Sequence, residues 1–496
     1  MMRLKNLLPY LTSLRKDLPK ADPDTLFSEI QTDSRQVTPG SLYVALPGTQ
    51  HDGHDFIAQA LAAGARGIIC SQAWFQQQDR LQTNIIWLPV HDTRRALAEA
   101  AATFYQRPGE QLSLLGVTGT NGKTTVTWLL KQLLEAAGRS CGWIGTLGAG
   151  YQNVSLPGAY TTPFPPQLQN WLQQMQQAGV TEVVMECSSH ALEQQRLEPL
   201  RFETAIFTNL TQDHLDYHLT MEAYAAAKSL LFSRHLQAQG TAIINADDPY
   251  SEQMCRASQA RVLRYSLQDA SADLYASDLN LDAHRSQFTL HHAGQTYPVI
   301  LSLSGHYNVA NALAALAAVL QHQVPLPTLL SALAQVSGVP GRLERVTPAE
   351  ADFAVYVDYA HTPDSLENVL SALRPLTPGR LIVVFGCGGD RDAGKRPLMG
   401  AAAEAGADRV IITSDNPRSE DPLTIMAAIQ TGLQQPEKAQ LEPDRALAIH
   451  QALAMADAGD TVLIAGKGHE DYQIIGQQRL PFDDRQVARH WLQTHC

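Results

Sequence analysis

Long apolar runs are missing from this chain. Nowhere do its 496 residues supply the ~18 consecutive apolar side chains that a bilayer-spanning helix needs, so membrane insertion is not expected. The N-terminus carries Arg3, Lys5, Arg15, Lys16 and Lys20 with no sustained apolar stretch behind them, which argues against a secretory leader and reads as native helix and loop. Cysteine is sparse as well. Cys70, Cys141, Cys187, Cys255, Cys387 and Cys496 are scattered, with no Cys-x-x-Cys pair and no zinc spacing. That pattern excludes a disulfide scaffold and fits a reducing, cytoplasmic setting. Runs of positive charge are also absent, and the formal net charge is −12. Nucleic acid is therefore not expected as a partner, and an anionic substrate would need local positive sites.

What is present is ordinary for a globular protein, with 44% hydrophobic and 17% charged residues. Length suggests about three domains at ~150 residues each. The most informative stretch is Gly116-Val117-Thr118-Gly119-Thr120-Asn121-Gly122-Lys123-Thr124-Thr125. It follows an apolar strand start (Leu112, Leu114, Leu115) and opens a helix whose Val126, Leu129, Leu130, Leu133 and Leu134 share one face, with Gly138 at the C-cap place. Strand, glycine-rich turn, Lys-Thr and helix make a P-loop layout. Backbone N–H groups cradle phosphates, Lys123 neutralises the outer ones, and the Thr124 hydroxyl reaches Mg²⁺. Val117 stands where a strict Walker A pattern has glycine, so the turn is a variant.

The flanking segments read as three α/β units. Residues 1–108 hold short strands at Ser41–Leu46, Ala65–Cys70 and Asn84–Val90, a helix at 56–63, and a helix over Thr93–Tyr105 that runs into Arg107-Pro108-Gly109. Residues 109–338 hold the phosphate loop, buried strands at Glu182–Cys187, Thr204–Asn209 and Thr241–Asn245, an antiparallel pattern over 273–304, and an Ala/Leu-rich helix from Asn308 to Leu320. Residues 339–496 alternate strands (Phe353–Tyr359, Arg380–Phe385, Arg409–Thr413, Thr461–Ala465) with helices at 363–374, 397–406, 422–434 and 444–458. The expected fold is α/β with three domains: a small N-terminal α/β domain, a central P-loop ATPase domain with a mainly parallel sheet, and a C-terminal Rossmann-like domain. Gly386-Cys387-Gly388-Gly389 departs from the dinucleotide fingerprint, which leaves NAD weakly supported.

Polar residues at strand ends are the chemical candidates, because ligands of open α/β sheets gather there. Glu186 is placed to hold Mg²⁺ beside a P-loop, or else to cap a loop. In Asp213-His214-Leu215-Asp216-Tyr217-His218 the two histidines have zinc-like spacing, but Leu215 occupies the place of a metalloprotease glutamate. Lys228 lies among small and apolar residues; it is either a surface lysine or a dry, reactive one open to carbamylation by CO₂. Asn308 and Asn311 either cap their helix or face a nucleotide base. Gly389-Asp390-Arg391-Asp392, Asp415-Asn416-Pro417-Arg418 and Gly466-Lys467-Gly468-His469-Glu470 all follow strands and should meet at one sheet edge. Arginine for carboxylates and acids for ammonium suit an amino acid with several charges.

Together these motifs resemble the Mur ligases of peptidoglycan synthesis over nearly the whole chain, from Thr32-Asp33-Ser34-Arg35 through the phosphate loop to Gly466–Gln473. Asp415-Asn416-Pro417-Arg418 is similar to the motif of the branch that adds meso-2,6-diaminopimelate. The resemblance implies an ATP-dependent amide ligase acting through an acyl phosphate on UDP-N-acetylmuramoyl-L-alanyl-D-glutamate. It implies ATP contacts at Gly119, Thr120, Asn121, Gly122, Lys123, Thr124, Thr125, Asn308, Arg342 and Asp358. Ser34 and the loop near Ala45 would touch the uridine diphosphate end, and Thr161, Thr162, Ser188, Gln194 and Arg196 the muramoyl-peptide part. Lys123, Glu186, His214 and Lys228 would be catalytic, with Thr124, Glu186, His214 and a carbamate on Lys228 organising Mg²⁺. Arg391, Asp415, Asn416, Pro417, Arg418, Gly466 and Glu470 would bind diaminopimelate. A cytoplasmic monomer is implied. One residue departs from the pattern: Tyr160 stands where the family usually has Asn, and the family's contact there is in doubt.

Overall fold

The computed structural model describes residues 1–14, 21–48, 51–78, 82, 84–158, 160–282, 285–347 and 351–495. Arg15, Lys16, Lys20 and Cys496 of the sequence reading lie outside the described residues. Three sheets carry the chain. In the first, β1 (Ile30–Gln31), β2 (Leu42–Val44), β3 (Gly67–Ser71) and β4 (Ile86–Val90) run parallel in that order. Helix α1 (Ile57–Ala62) and helix α2 (Thr93–Phe104) complete this unit.

The second sheet has eleven strands. Its parallel middle comprises β5 (Ser113–Thr118), β6 (Cys141–Gly145), β9 (Glu182–Glu186), β10 (Phe202–Phe207), β11 (Leu236–Asn245) and β12 (Arg261–Ser266). Further strands extend both ends: β7 (Gly148–Tyr151) and β8 (Val154–Leu156), antiparallel, on one side, and on the other β13 (Leu274–Leu281), still parallel to β12, followed by the antiparallel β14 (Ser286–His292) and β15 (Gln295–Leu301). The spatial order is β8-β7-β6-β9-β5-β10-β11-β12-β13-β14-β15. Helix α3 (Lys123–Ala136) buries Val126, Leu129, Leu130, Leu133 and Leu134 completely, the stripe read from the sequence. Each leucine so buried contributes about 1.5–3 kcal/mol. Gly138 takes φ +77° just past the helix, where an L side chain would be strained. Helix α4 (Pro165–Gln177), helix α5 (Met221–Leu230) and helix α6 (His306–Leu320) follow in chain order.

The third sheet runs β16 (Glu344–Arg345), β17 (Ala354–Asp358), β21 (Thr461–Ala465), β18 (Leu381–Phe385), β19 (Arg409–Thr413) and β20 (Ala439–Glu442), parallel except for β16. Helices α7 (Pro363–Leu373), α8 (Lys395–Gly406), α9 (Pro422–Gln430), α10 (Arg445–Ala454) and α11 (Asp484–His495) pack on it, and β22 (Tyr472–Ile475) pairs with β23 (Gln478–Pro481).

The structure corrects the element reading in places. The strands β6, β12 and β20 have no counterpart in it: Cys-Gly-Trp-Ile-Gly is broken by glycine, and Arg261–Ser266 mixes charge into a short run. Helices read at 422–434 and 444–458 end at Gln430 and Ala454. Among the described residues no helix is long and apolar enough to cross a membrane.

Candidate active site

The phosphate loop is built by β5 and α3. Gly119 and Gly122 take φ +152° and +84°, and a side chain on Gly119 would overlap the Thr208 hydroxyl. The loop is braced from β10's end: Thr120 N–H donates to Asn209 O (2.9 Å), Asn121 N–H to Asn209 Oδ1 (2.9 Å), and Thr208 Oγ1 to Asn121 O (2.6 Å). Two lysines converge behind it. Lys123 Nζ donates to Gly119 O (2.9 Å) and Thr120 O (2.7 Å), and Lys228 Nζ donates to the same Gly119 O (2.7 Å).

Lys228 is therefore not the surface lysine of the alternative reading. It is 1% exposed, on α5, with its ammonium 4.3 Å from the Tyr224 ring centroid. Burial, reinforced by repulsion from Lys123, holds it well below the usual lysine range. Burial lowers Lys123 too, against the opposing pull of Glu186.

Glu186 ends β9 and is fully enclosed. Its Oε1 accepts from Thr146 N–H (2.9 Å) and its Oε2 from Thr146 Oγ1 (3.0 Å). Thr146 Oγ1 also meets Thr161 Oγ1 at 3.1 Å, and Thr162 Oγ1 donates to Glu186 O (2.8 Å) while accepting Ser188 N–H (3.0 Å). Gln194 Oε1 accepts from Arg196 Nε (3.0 Å) and Nη2 (2.6 Å). The expected Thr161, Thr162, Ser188, Gln194 and Arg196 thus form one patch on the Glu186 loop. His214 caps a short helix at φ +57°, its ring 4.8 Å from His190 and 6.0 Å from Tyr224. Burial drives its pKa down to about 3, so the imidazole is neutral at pH 7. His218 Nε2 pairs with Ser189 Oγ (2.9 Å). Among the described residues no three His, Cys, Asp or Glu side chains come together as a metal cage.

On the other side of the loop lies a cavity of about 610 Å³ lined by Ser304, Asn308, Val339, Arg342 and Tyr356. Neither Asn308 nor Asn311 caps α6; Gly305 does, at φ +104°. Asn308 Nδ2 donates to Ser304 O (2.7 Å), and Asn311 Oδ1 would crowd any side chain on Gly122. Arg342 Nη2 donates to Thr124 Oγ1 (3.2 Å), and Arg342 stacks 4.5 Å over Tyr359. Asp358 accepts from Leu343 N–H (2.6 Å) and Ala360 N–H (2.7 Å); burial raises its pKa.

The three C-terminal motifs do meet at one sheet edge. Asn416 Nδ2 donates to Glu470 Oε2 (2.9 Å), and Gly466, at φ +114°, leaves no room for a Cβ beside Asp415. Pro417 O crowds Gly389 so closely that any side chain there would overlap it. Lys467, absent from the expected site, is fully buried at its centre: Nζ lies 3.1 Å from Asn416 Oδ1, 3.2 Å from Glu470 Oε2 and 3.8 Å from Asp415 Oδ1. Burial pushes Asp415 up, but Lys467, Arg445 and Arg418 outweigh it and hold it low. Arg418, at φ +51°, donates from Nη1 to Gly389 O (2.7 Å), and Arg391 donates to Asp390 O (3.0 Å). Among the described residues neither arginine has a carboxylate within 4 Å.

Two further groups join the central and C-terminal sheets. Lys395 Nζ lies 3.3 Å from Asp213 Oδ1, with His361 Nε2 3.7 Å from Asp213 Oδ2, and Asn121 Nδ2 donates to Asp364 Oδ2 (2.7 Å). Lys395 opens α8 within Gly394-Lys395-Arg396-Pro397, a signal no strand-end argument picks out. In the first unit, Ser34 Oγ donates to Gln59 Oε1 (2.9 Å), whereas Ala45 is wholly buried with its N–H on Ile69 O (2.9 Å). Only the chain beyond Ala45 faces outward.

A phosphate loop at the strand ends of one sheet, with a cluster of charged side chains at the strand ends of a second, is the arrangement of a nucleotide-dependent enzyme. Family models match three segments: the Mur ligase family catalytic domain over 27–105, the Mur ligase middle domain over 117–319, and the Mur ligase glutamate ligase domain over 341–468. Relatives named UDP-N-acetylmuramoyl-L-alanyl-D-glutamate–2,6-diaminopimelate ligase from Synechococcus elongatus (46% identity) and Trichormus variabilis (45%) align over 490 residues, 98% of each chain. A solved structure bearing the same ligase name is 36% identical, with a TM-score of 0.68 over 100% of both chains. This chain belongs to the Mur ligase family.

Proposed function

We propose that the chain adds meso-2,6-diaminopimelate to the D-glutamyl γ-carboxylate of UDP-N-acetylmuramoyl-L-alanyl-D-glutamate, with ATP converted to ADP and phosphate, as a cytoplasmic monomer. The observation that carries the amino-acid assignment is Arg418: a half-buried guanidinium without a carboxylate partner, set beside the acids Asp415 and Glu470. An amino acid with an extra carboxylate and a distal ammonium answers both. Relatives named for this reaction over nearly the full chain support the same reading. The units divide at 108/109 and 338/339, where the Pro108–Glu110 turn and the Val339–Gly341 turn fall.

The γ-carboxylate oxygen attacks the γ-phosphorus of ATP, ADP leaves, and the acyl phosphate forms. The diaminopimelate amine then attacks the acyl carbon, phosphate leaves, and the new amide nitrogen sheds a proton. Loop N–H groups and Lys123 hold the phosphates, with Lys123 leaving the carbonyls of Gly119 and Thr120 to do so. Asn308 and Arg342 line the nucleotide cavity, and Asp358 holds the N–H of Leu343 in its wall. The Thr162–Gln194–Arg196 patch holds the peptide, with Ser34 and the loop beyond Ala45 at the uridine end. Arg391, Asn416, Pro417, Arg418, Gly466 and Glu470 shape the amino-acid pocket. Closure of the units excludes water from the acyl phosphate.

Two of the expected donors, the Thr124 hydroxyl and the enclosed Glu186, are oxygens that suit a hard cation, and His214 is a neutral imidazole able to add a nitrogen. The amine of Lys228 does not suit such a cation, but burial lowers its pKa, and in its unprotonated form the amine adds to CO₂, forming an N–C bond and releasing a proton to give a carbamate with two oxygens. Thr124, Glu186, His214 and carbamylated Lys228 would then hold Mg²⁺, which neutralises phosphate charge.

A ligation assay with a panel of amino acids tests the reading. Meso-diaminopimelate should be preferred over L-lysine by a factor on the order of 10³ or more, since lysine leaves Arg418 unpaired. Arg418→Ala should lose most activity and narrow that gap, and Arg418→Lys should rescue poorly because one ammonium cannot replace the guanidinium fork. Equal use of lysine by the wild type, or an unchanged ratio in Arg418→Ala, overturns the assignment.

A further inference from the structure

Arg196 has an unusual setting. It is 9% exposed, and among the described residues no carboxylate lies within 4 Å of it. Three of its five N–H donors are spent: Nη1 donates to Thr162 O (3.0 Å), and Nε and Nη2 both donate to Gln194 Oε1. Two remain, one on each terminal nitrogen, available to a further acceptor such as a carboxylate or phosphate.

A buried cation without an anion is costly and free to swing toward any acceptor. Here two aromatic rings limit that freedom. The guanidinium lies 4.0 Å over the Phe164 centroid and 5.5 Å from that of Tyr160. The two rings meet edge to face at 5.1 Å and 89°, so each fixes the other. Tyr160 is nevertheless 51% exposed, and no hydrogen bond ties its hydroxyl to the described residues. A large, half-exposed ring kept at that place has a role that neither its own burial nor its hydroxyl explains.

We propose that Tyr160 is a positioning residue for the acceptor: with Phe164 it forms an aromatic cover that holds the Arg196 guanidinium in place, its two free N–H groups presented to an anionic group of the nucleotide-sugar peptide. The negative ring faces stabilise the cation while the site is empty, and the cover restricts rotation about the guanidinium plane. This rests on the function proposed above and names the device by which that site receives its peptide.

The test is a double-mutant cycle read as KM against kcat for the nucleotide-sugar peptide. Tyr160→Ala should raise that KM about five- to thirtyfold, with kcat and the KM values of ATP and diaminopimelate within about twofold. Tyr160→Phe keeps the ring and should hold KM within about twofold of wild type. In an Arg196→Lys background, where no planar guanidinium is left to cover, adding Tyr160→Ala should change KM by less than about twofold. Thermal melts of each variant check folding, which a half-exposed side chain should not disturb. The proposal falls if Tyr160→Ala binds as the wild type does, if Tyr160→Phe is as impaired as Tyr160→Ala, or if the alanine effect persists undiminished in the Arg196→Lys background. A wild type that fails to ligate diaminopimelate would instead sink the functional reading, an outcome distinct from an active wild type indifferent to Tyr160.

Discussion

Gly119 O receives hydrogen bonds from two lysines of different helices, and that single atom organises the chemistry around the phosphate loop. One of the two, Lys228, is buried, and burial together with repulsion from Lys123 lowers its pKa well below the usual lysine range. Lys228→Ala should lose nearly all ligation and regain part of it with added short carboxylates, which fill the space and charge of a carbamate. Mass spectrometry of the CO₂-equilibrated active enzyme should find Lys228 heavier by one CO₂; an unmodified amine, with no rescue, would refute it. Part of this was legible from residue type and spacing: Lys123 lies at the helix start and Glu186 at the strand end expected of them, whereas the sequence left Lys228 open between a surface and a dry lysine, and only its burial decides between the two. Lys467 and Thr146 were not legible, because nothing local in Gly-Lys-Gly-His-Glu or Thr-Leu-Gly tells that folding will bury the lysine among Asn416, Asp415 and Glu470, or aim the threonine at Glu186. Burial and pairing are products of the third dimension, and a lone lysine in a glycine turn reads as solvated.

At the scale of elements, α11 was not among the helices read from the sequence, although Val487, Ala488, Trp491 and Leu492 fall at helical spacing, and its start is tied to the loops that carry Asp415 and Gly466. Asp484 at its start pairs with Arg445 at the start of α10, Nε to Oδ1 at 2.8 Å and Nη2 to Oδ2 at 2.7 Å, both side chains fully buried. Arg445 also donates to Ala465 O (2.9 Å) and Ser414 O (3.3 Å), the carbonyls at which β21 and β19 give way to the pocket loops. Arg445→Ala should cost about 3–5 kcal/mol in a denaturant melt, because a buried carboxylate is left unpaired. Adding Asp484→Ala should recover part of that loss; a loss under about 1 kcal/mol in the single variant would show the pair is dispensable. The elements most clearly written in the sequence were those with a strong period, such as α3 and the parallel strands. Short strands with glycine or charge inside them, such as β6 and β12, took their form from neighbours already in the sheet.

At the scale of the whole molecule, Asp213 is where the central and C-terminal sheets engage. It is buried, and although burial pushes its pKa up, Lys395, His214 and His361 overcome that and hold it well below the usual carboxylate range. Only one of those three groups sits on the same sheet as Asp213, next to it in the chain; Lys395 and His361 come from the C-terminal side. Removing Lys395 with Lys395→Ala should loosen that engagement: the radius of gyration from small-angle scattering should rise, and kcat/KM should fall at least tenfold with the melting of each unit little changed. An unchanged scattering curve would mean the bridge reports the arrangement without holding it. The three sheets and their order along the chain were legible from alternation and turn residues alone. Their mutual placement was not, since it depends on pairs such as Asp213–Lys395 and Asn121–Asp364, separated by 182 and 243 residues.

The eleven-stranded sheet keeps its apolar interior and its reactive margin on different residues. Leu115, Val184, Ile206 and Ile243 fill the interior, while the phosphate loop, Thr146, Glu186 and Asn209 lie at or past the strand ends. Natural variation can therefore remodel what such an enzyme recognises without retuning what keeps it folded. A lineage can drift in one set of positions while being held in the other. Tyr160, half exposed at that margin, is a position the interior does not constrain.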